Sequence, residues 1–255
     1  MTRISGHHII RTKCCKTFFS TLAYGSLNFS ASEFWTDGGT LHSLAPSTGG
    51  LCRCTCEGYF LLGDAELIET IRKPMPIAPE GWRYRTDNWL TRFFGRESKE
   101  EILWRYDTRP IEVIEAERVP LPQDVKYVKD DELIQVIESA PDDSSVMNVT
   151  RRRYWIHLNE PHREAYRLLR ETDKVSFPPY APTEAQLNNM QQILDLINQG
   201  EKPNWFEVCE LYREMSKFYE AQQALDLDQD SEPRLIKMMN ELIADKVNGP
   251  VRYRL

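Results

Sequence analysis

The sequence predicts an α+β protein, with a small β module at the head and a mainly α-helical domain behind it. Three observations carry that prediction. Five of the six cysteines fall within the first 56 residues. Each cysteine group runs into a short aromatic segment, Cys15-Lys16-Thr17-Phe18-Phe19 and Cys56-Glu57-Gly58-Tyr59-Phe60, as a turn feeding a strand would. Apolar residues then recur every three or four positions through the last third of the chain, the period of an amphipathic helix.

In chain order, residues 1–62 form the predicted β module. Thr36-Asp37-Gly38-Gly39 reads as its hairpin turn, and Phe29, Phe34 and Trp35 as a satellite core. Residues 63–145 form a mixed, aromatic-rich segment. Here Asp64–Ile71 is expected as a short helix capped by Asp64, and Lys73–Gly81, with three prolines, as a connector. Trp82, Tyr84, Trp89, Phe93 and Phe94 then interleave with Arg83, Arg85, Arg92 and Arg96. Asp130–Ser139 reads as a further helix, and Pro141–Ser145 as the boundary.

Residues 146–255 form the helical domain. Val149–Leu169 is one helix bent or interrupted at Pro161, its stretch of Arg153, Tyr154, Trp155, Asn159 and Arg163 suited to bracing another domain through Arg–carboxylate contacts. Thr183 caps the next helix, which buries Leu187, Met190, Leu194 and Ile197 and closes at Gly200. Helices follow at about Trp205–Ser216, Phe218–Leu227 and Glu232–Val247, with Cys209 as buried filler.

Composition bounds the function. A chain of 255 residues that is 41% hydrophobic can bury a core, and its net charge of −7 gives no global attraction to nucleic acid or an anionic membrane. The charge is uneven. Residues 1–60 carry five basic against three acidic side chains, a net of +2, whereas residues 61–150 carry 12 against 19, a net of −7. The start lacks the apolar stretch of a secretory signal, and no apolar run approaches a membrane span. A cytosolic protein is therefore expected, with its thiols reduced.

In that setting the cysteines point to a metal. Cys14, Cys15, Cys52, Cys54 and Cys56 form two close groups, the arrangement of two knuckles that meet around one ion. Four thiolates suit tetrahedral Zn²⁺, and such structural sites supply folding energy to modules too small to bury a core. A regular ribbon has C-x-x-C twice; counting back from Cys15 and Cys56, the first positions hold Thr12 and Arg53. The expected ligands are Cys14, Cys15, Cys54 and Cys56. Cys52 is the alternative to Cys54, and His7, His8 and His42 are reserve ligands. An iron–sulfur cluster uses the same donors. A redox pair would want C-x-x-C at a helix start, which is absent.

Trp205–Pro233 resembles one tetratricopeptide repeat over 29 residues. Trp205, Val208, Tyr212, Phe218, Ala221, Leu225 and Pro233 fall at its packing positions, while Cys209 and Ser216 stand where glycine is common and Asp228 where a small apolar residue is. The chain as a whole resembles a family of uncharacterised bacterial proteins with a degenerate N-terminal zinc-ribbon-like module and a helical tail. Ser26, Asn28, Trp35, Asp37 and Gly38 carry the resemblance at the head, and Tyr212–Ala221 in the tail. The family implies no activity.

No P-loop, G-x-G-x-x-G, G-x-S-x-G or H-E-x-x-H motif is present, and no residue is assigned a catalytic or organic-cofactor role. The expectation is a non-enzymatic protein-binding or adaptor protein with structural Zn²⁺. The alternatives are nucleic-acid binding through the basic head and the Arg/aromatic stretch, and a defence or immunity factor that neutralises another protein.

Overall fold

The computed structural model describes residues 3–26, 31–42, 50–72, 121–139, 144–171, 177–200 and 203–253. Phe29, the connector at 73–81 and the Arg/aromatic stretch at 82–96 lie outside the described residues.

The fold is α+β, with three small antiparallel sheets and a set of helices. Strands β1 (Arg3–Arg11) and β2 (Phe18–Ser26) form a hairpin, and β7 (Glu66–Arg72) pairs with the other edge of β1. Strands β5 (Leu51–Arg53) and β6 (Tyr59–Leu61) form a second hairpin, extended by β8 (Lys126–Tyr127). A third hairpin, β3 (Ala31–Trp35) and β4 (Thr40–His42), is extended by the C-terminal β9 (Arg252–Tyr253).

Residues 122–128 lace the first two hairpins together. Ser20 N donates to Gln123 O at 2.9 Å, Val125 N to Ser20 O at 2.9 Å, and Val128 N to Leu51 O at 3.0 Å. Beneath this lacing Ile10, Phe19, Cys52, Cys54, Phe60 and Val125 form one apolar cluster. A second cluster, Leu51, Val128, Leu133, Val136 and Val146, joins β5 to α1 (Leu133–Ser139) and α2 (Ser144–Leu158).

The remaining helices are α3 (Glu160–Glu171), α4 (Glu184–Asn198), α5 (Trp205–Glu214), α6 (Phe218–Leu227) and α7 (Pro233–Ala244). Thr183 caps α4 in a capping box with Gln186. The break between α2 and α3 falls at the buried Asn159, and Pro161 follows in the first turn of α3, where its missing N–H costs nothing.

Two expectations are corrected. Glu66–Arg72 is a strand, preceded by a one-turn 3-10 helix at Leu62–Asp64, so Asp64–Ile71 is not a helix. The open edge of β1 offers a hydrogen-bonding ladder. Ile68, Thr70 and Ile71 suit it as β-branched residues, with Arg11–Glu66 and His8–Thr70 side-chain pairs across the strands. Trp35 does not cover the cysteines. It is 2% exposed in the helical core, edge-on to Tyr166 at 5.2 Å, and Phe34 stacks near Tyr253. Residues 31–42 of the expected β module are thus built into the helical part of the molecule.

Candidate metal centre

The turn from β1 to β2 is closed by Thr12 N donating to Thr17 O (3.0 Å) and Lys16 N to Thr12 O (3.2 Å). The turn from β5 to β6 is closed by Cys54 N donating to Gly58 O (2.8 Å). Lys16 (φ 60°) and Glu57 (φ 64°) take the left-handed conformation directly after Cys15 and Cys56. In the second turn the positive φ falls on Glu57 and not on the neighbouring Gly58.

These turns bring Cys14, Cys15, Cys54 and Cys56 together, their sulfurs all within 4.8 Å of one another. The Sγ–Sγ separations are 3.9 Å (Cys14–Cys15), 3.4 Å (Cys14–Cys54), 3.2 Å (Cys15–Cys54) and 3.6 Å (Cys14–Cys56). Four sulfurs at tetrahedral Zn–S distance lie ~3.8 Å apart, so this donor set fits a metal ion of that size. All six cysteines are free thiols. No histidine or carboxylate joins the group among the described residues.

Cys52 stands apart. It is buried, and its thiol donates to Gly50 O at 3.2 Å. Burial pushes it up to about 12, against a small pull from Arg153. His8 Nδ1 lies 2.9 Å from Thr70 Oγ1, His7 sits within β1, and the His42 side chain is outside the described residues.

Threonine hydroxyls line one side of the group. Thr12, only 1% exposed, stands where the first cysteine of a regular knuckle would be, its Oγ1 3.5 Å from Cys15 Sγ and 3.9 Å from Cys54 Sγ. Thr17 Oγ1 lies 3.1 Å from Cys15 Sγ and 3.2 Å from Thr55 Oγ1. Thr17 foremost, then Thr12 and Cys54, hold the Cys15 thiol down to about 5. Cys14 is pushed up to about 12, by burial first and then by Cys54. Of these two neighbours Cys15 is therefore the more acidic thiol.

A second polar constellation lies in the helical core, and sequence reasoning did not find it. Asp37 from the β3–β4 turn pairs with Arg163 of α3, and Glu210 pairs with Arg213 within α5. Arg213 also bonds Gly249 O, and Thr36 Oγ1 donates to Glu210 at 2.5 Å. Glu214 accepts from Trp155 Nε1 (2.8 Å) and Asn159 Nδ2 (3.0 Å), with Tyr180 Oη at 3.0 Å. Asp37, Glu210, Glu214, Arg163 and Arg213 are all buried, so three carboxyls face two guanidiniums in low dielectric. Only the W-T-D-G turn and the Arg-rich helix hinted at it in sequence.

Comparison with protein-family models, curated proteins and solved structures yields no match to this chain. No helix among the described residues is long and apolar enough to cross a membrane.

Proposed function

We propose that the chain is a non-enzymatic, protein-binding protein in which one structural Zn²⁺, held by Cys14, Cys15, Cys54 and Cys56, fastens the two hairpins of its head. The convergence of four thiols from turns about 40 residues apart carries this reading. Zinc is favoured over an iron–sulfur cluster because the sulfurs have room for a single ion at Zn–S distance, whereas such a cluster spreads its cysteines around several metal atoms. All four positions are filled by thiolate, which leaves no open site for a substrate and favours a structural role.

The helical hairpin α5–α6, with its likeness to a tetratricopeptide unit, supports a protein partner. Nucleic acid is the weaker alternative on physical grounds. Arg11, Arg53, Arg152, Arg153, Arg163, Arg167, Arg213 and Arg252 are engaged by carboxylates and so are poorly placed to meet phosphates.

Elemental analysis of full-length protein purified without added metal tests the first part, with one zinc per chain expected. Affinity purification from the native cell tests the second, with a stoichiometric protein partner expected. A metal-free, fully folded chain would remove the zinc reading, and a salt-sensitive shift of RNA or DNA in place of a protein partner would remove the adaptor reading.

A further inference from the structure

The four sulfurs are not equivalent. Cys54 is 5% exposed and sealed in the apolar cluster under the hairpins. Cys15 is exposed but its sulfur is ringed by oxygen. Thr17 Oγ1 stands at 3.1 Å, Thr12 Oγ1 at 3.5 Å and Thr55 Oγ1 at 4.0 Å. Thr55 can donate to Thr17 across 3.2 Å, which frees the Thr17 proton for the sulfur. Cys14 sits among three sulfurs, with Cys54 at 3.4 Å and Cys56 at 3.6 Å, and also faces the Thr12 hydroxyl. Cys56 is exposed, with no hydroxyl within bonding range among the described residues; Cys14 Sγ stands 3.6 Å away, and the other two sulfurs lie within 4.8 Å.

Outer-sphere hydrogen bonds orient a metal ligand and draw electron density from it, and the nucleophilicity of a sulfur falls with its basicity. We infer that Cys56 is the open corner of the metal centre and its modification site, where a soft electrophile attacks first, while Thr17, backed by Thr55, and Thr12 are positioning residues that shield Cys15. The proposal rests on the zinc reading. In the attack the Cys56 sulfur forms a bond to the electrophilic carbon as that carbon's bond to its leaving group breaks, and the leaving group departs with the bonding pair. The product is a neutral thioether. A thioether is a far poorer zinc ligand than a thiolate, so an ion held by the remaining Cys14, Cys15 and Cys54 would be bound more weakly and become open to a competing chelator.

The test uses the full chain loaded with one equivalent of Zn²⁺ and treated with limiting iodoacetamide, so that iodide is the leaving group. Site-resolved mass spectrometry reads each cysteine, and a chromogenic chelator reads zinc release. Cys56 is expected to be carbamidomethylated first, in step with zinc release. Thr17→Val should speed Cys15 labelling roughly tenfold while leaving Cys56 unchanged, and Thr17→Ser should behave as the wild type. Labelling of Cys14 or Cys15 as fast as Cys56 in the zinc-loaded wild type would overturn the asymmetry and leave the metal site standing. A chain that takes up no zinc, and labels alike with and without it, would overturn the site itself and this proposal with it.

Discussion

Cys54 and Cys52 lie two residues apart in one buried cluster, yet one joins the sulfur group and the other bonds a carbonyl. The difference is where the strand ends. Cys54 begins the turn and swings toward the first hairpin, while Cys52 stays in register opposite Phe60. Cys54→Ser should therefore abolish stoichiometric metal binding, and Cys52→Ser should retain it, as read by metal content after gel filtration. The cysteine count, its division into two groups and the expected set Cys14, Cys15, Cys54 and Cys56 were legible in the chain; what sets Cys52 aside was not, because it depends on where pairing stops. Glu214 gives a second prediction. Burial first, then Glu210 and Asp37, raise its carboxyl well above the ordinary range. Tyr180 Oη, 2.8 Å from Asn159 Oδ1 and 3.0 Å from Glu214 Oε2, has one proton to donate between them. Below ~4.3, the ordinary glutamate value, the carboxyl is protonated folded and unfolded alike. Above it the unfolded chain loses that proton while the folded one keeps it, so this contribution to stability falls as pH rises, until the folded carboxyl also ionises. Glu214→Gln should flatten that decline in urea melts taken from pH 5 to 8.

At the scale of the element, α5 and α7 end alike. Lys217 N donates to Tyr212 O and Ser216 N to Arg213 O after α5; Val247 N donates to Leu242 O and Lys246 N to Ile243 O after α7. Each is a Schellman ending, and its left-handed residue is Ser216 (φ 61°) or Lys246 (φ 53°) where glycine is the relaxed choice. Ser216 has a compensating contact, since its Oγ accepts from Asn248 Nδ2 at 2.9 Å. Lys246 is exposed. Lys246→Gly should consequently stabilise the protein by up to ~1 kcal/mol, measured by chemical denaturation. These helices were legible because their apolar period and the Thr183 cap are local signals. Strand β7 was not, because Leu67, Ile68 and Ile71 also fit one face of a helical turn. What decides between the two is the free edge of β1, almost 60 residues earlier in the chain.

In the whole molecule, the third hairpin belongs to the helices. Trp35 and Val251 enter the helical core, β9 closes the sheet, and the Asp37–Arg163 pair locks the β3–β4 turn to α3. Asp37→Ala removes one of the two carboxylates on the buried Arg163, the other being Glu160, so it should cost up to ~3 kcal/mol in a denaturant melt, the lower end for breaking a buried pair. None of this is local. The pairing of β3 with the last strand, and the lacing of two hairpins by residues 122–128, join segments separated by roughly 70 to 220 residues. Only the turn residues and the arginines of α2 and α3 foreshadowed them. What ties the head together beyond this lacing is the proposed ion. Zinc K-edge X-ray absorption on the full chain would test it most directly. Four sulfur neighbours at about 2.3 Å are the predicted shell. Nitrogen or oxygen neighbours at about 2.0–2.1 Å in place of any of the four sulfurs would contradict it.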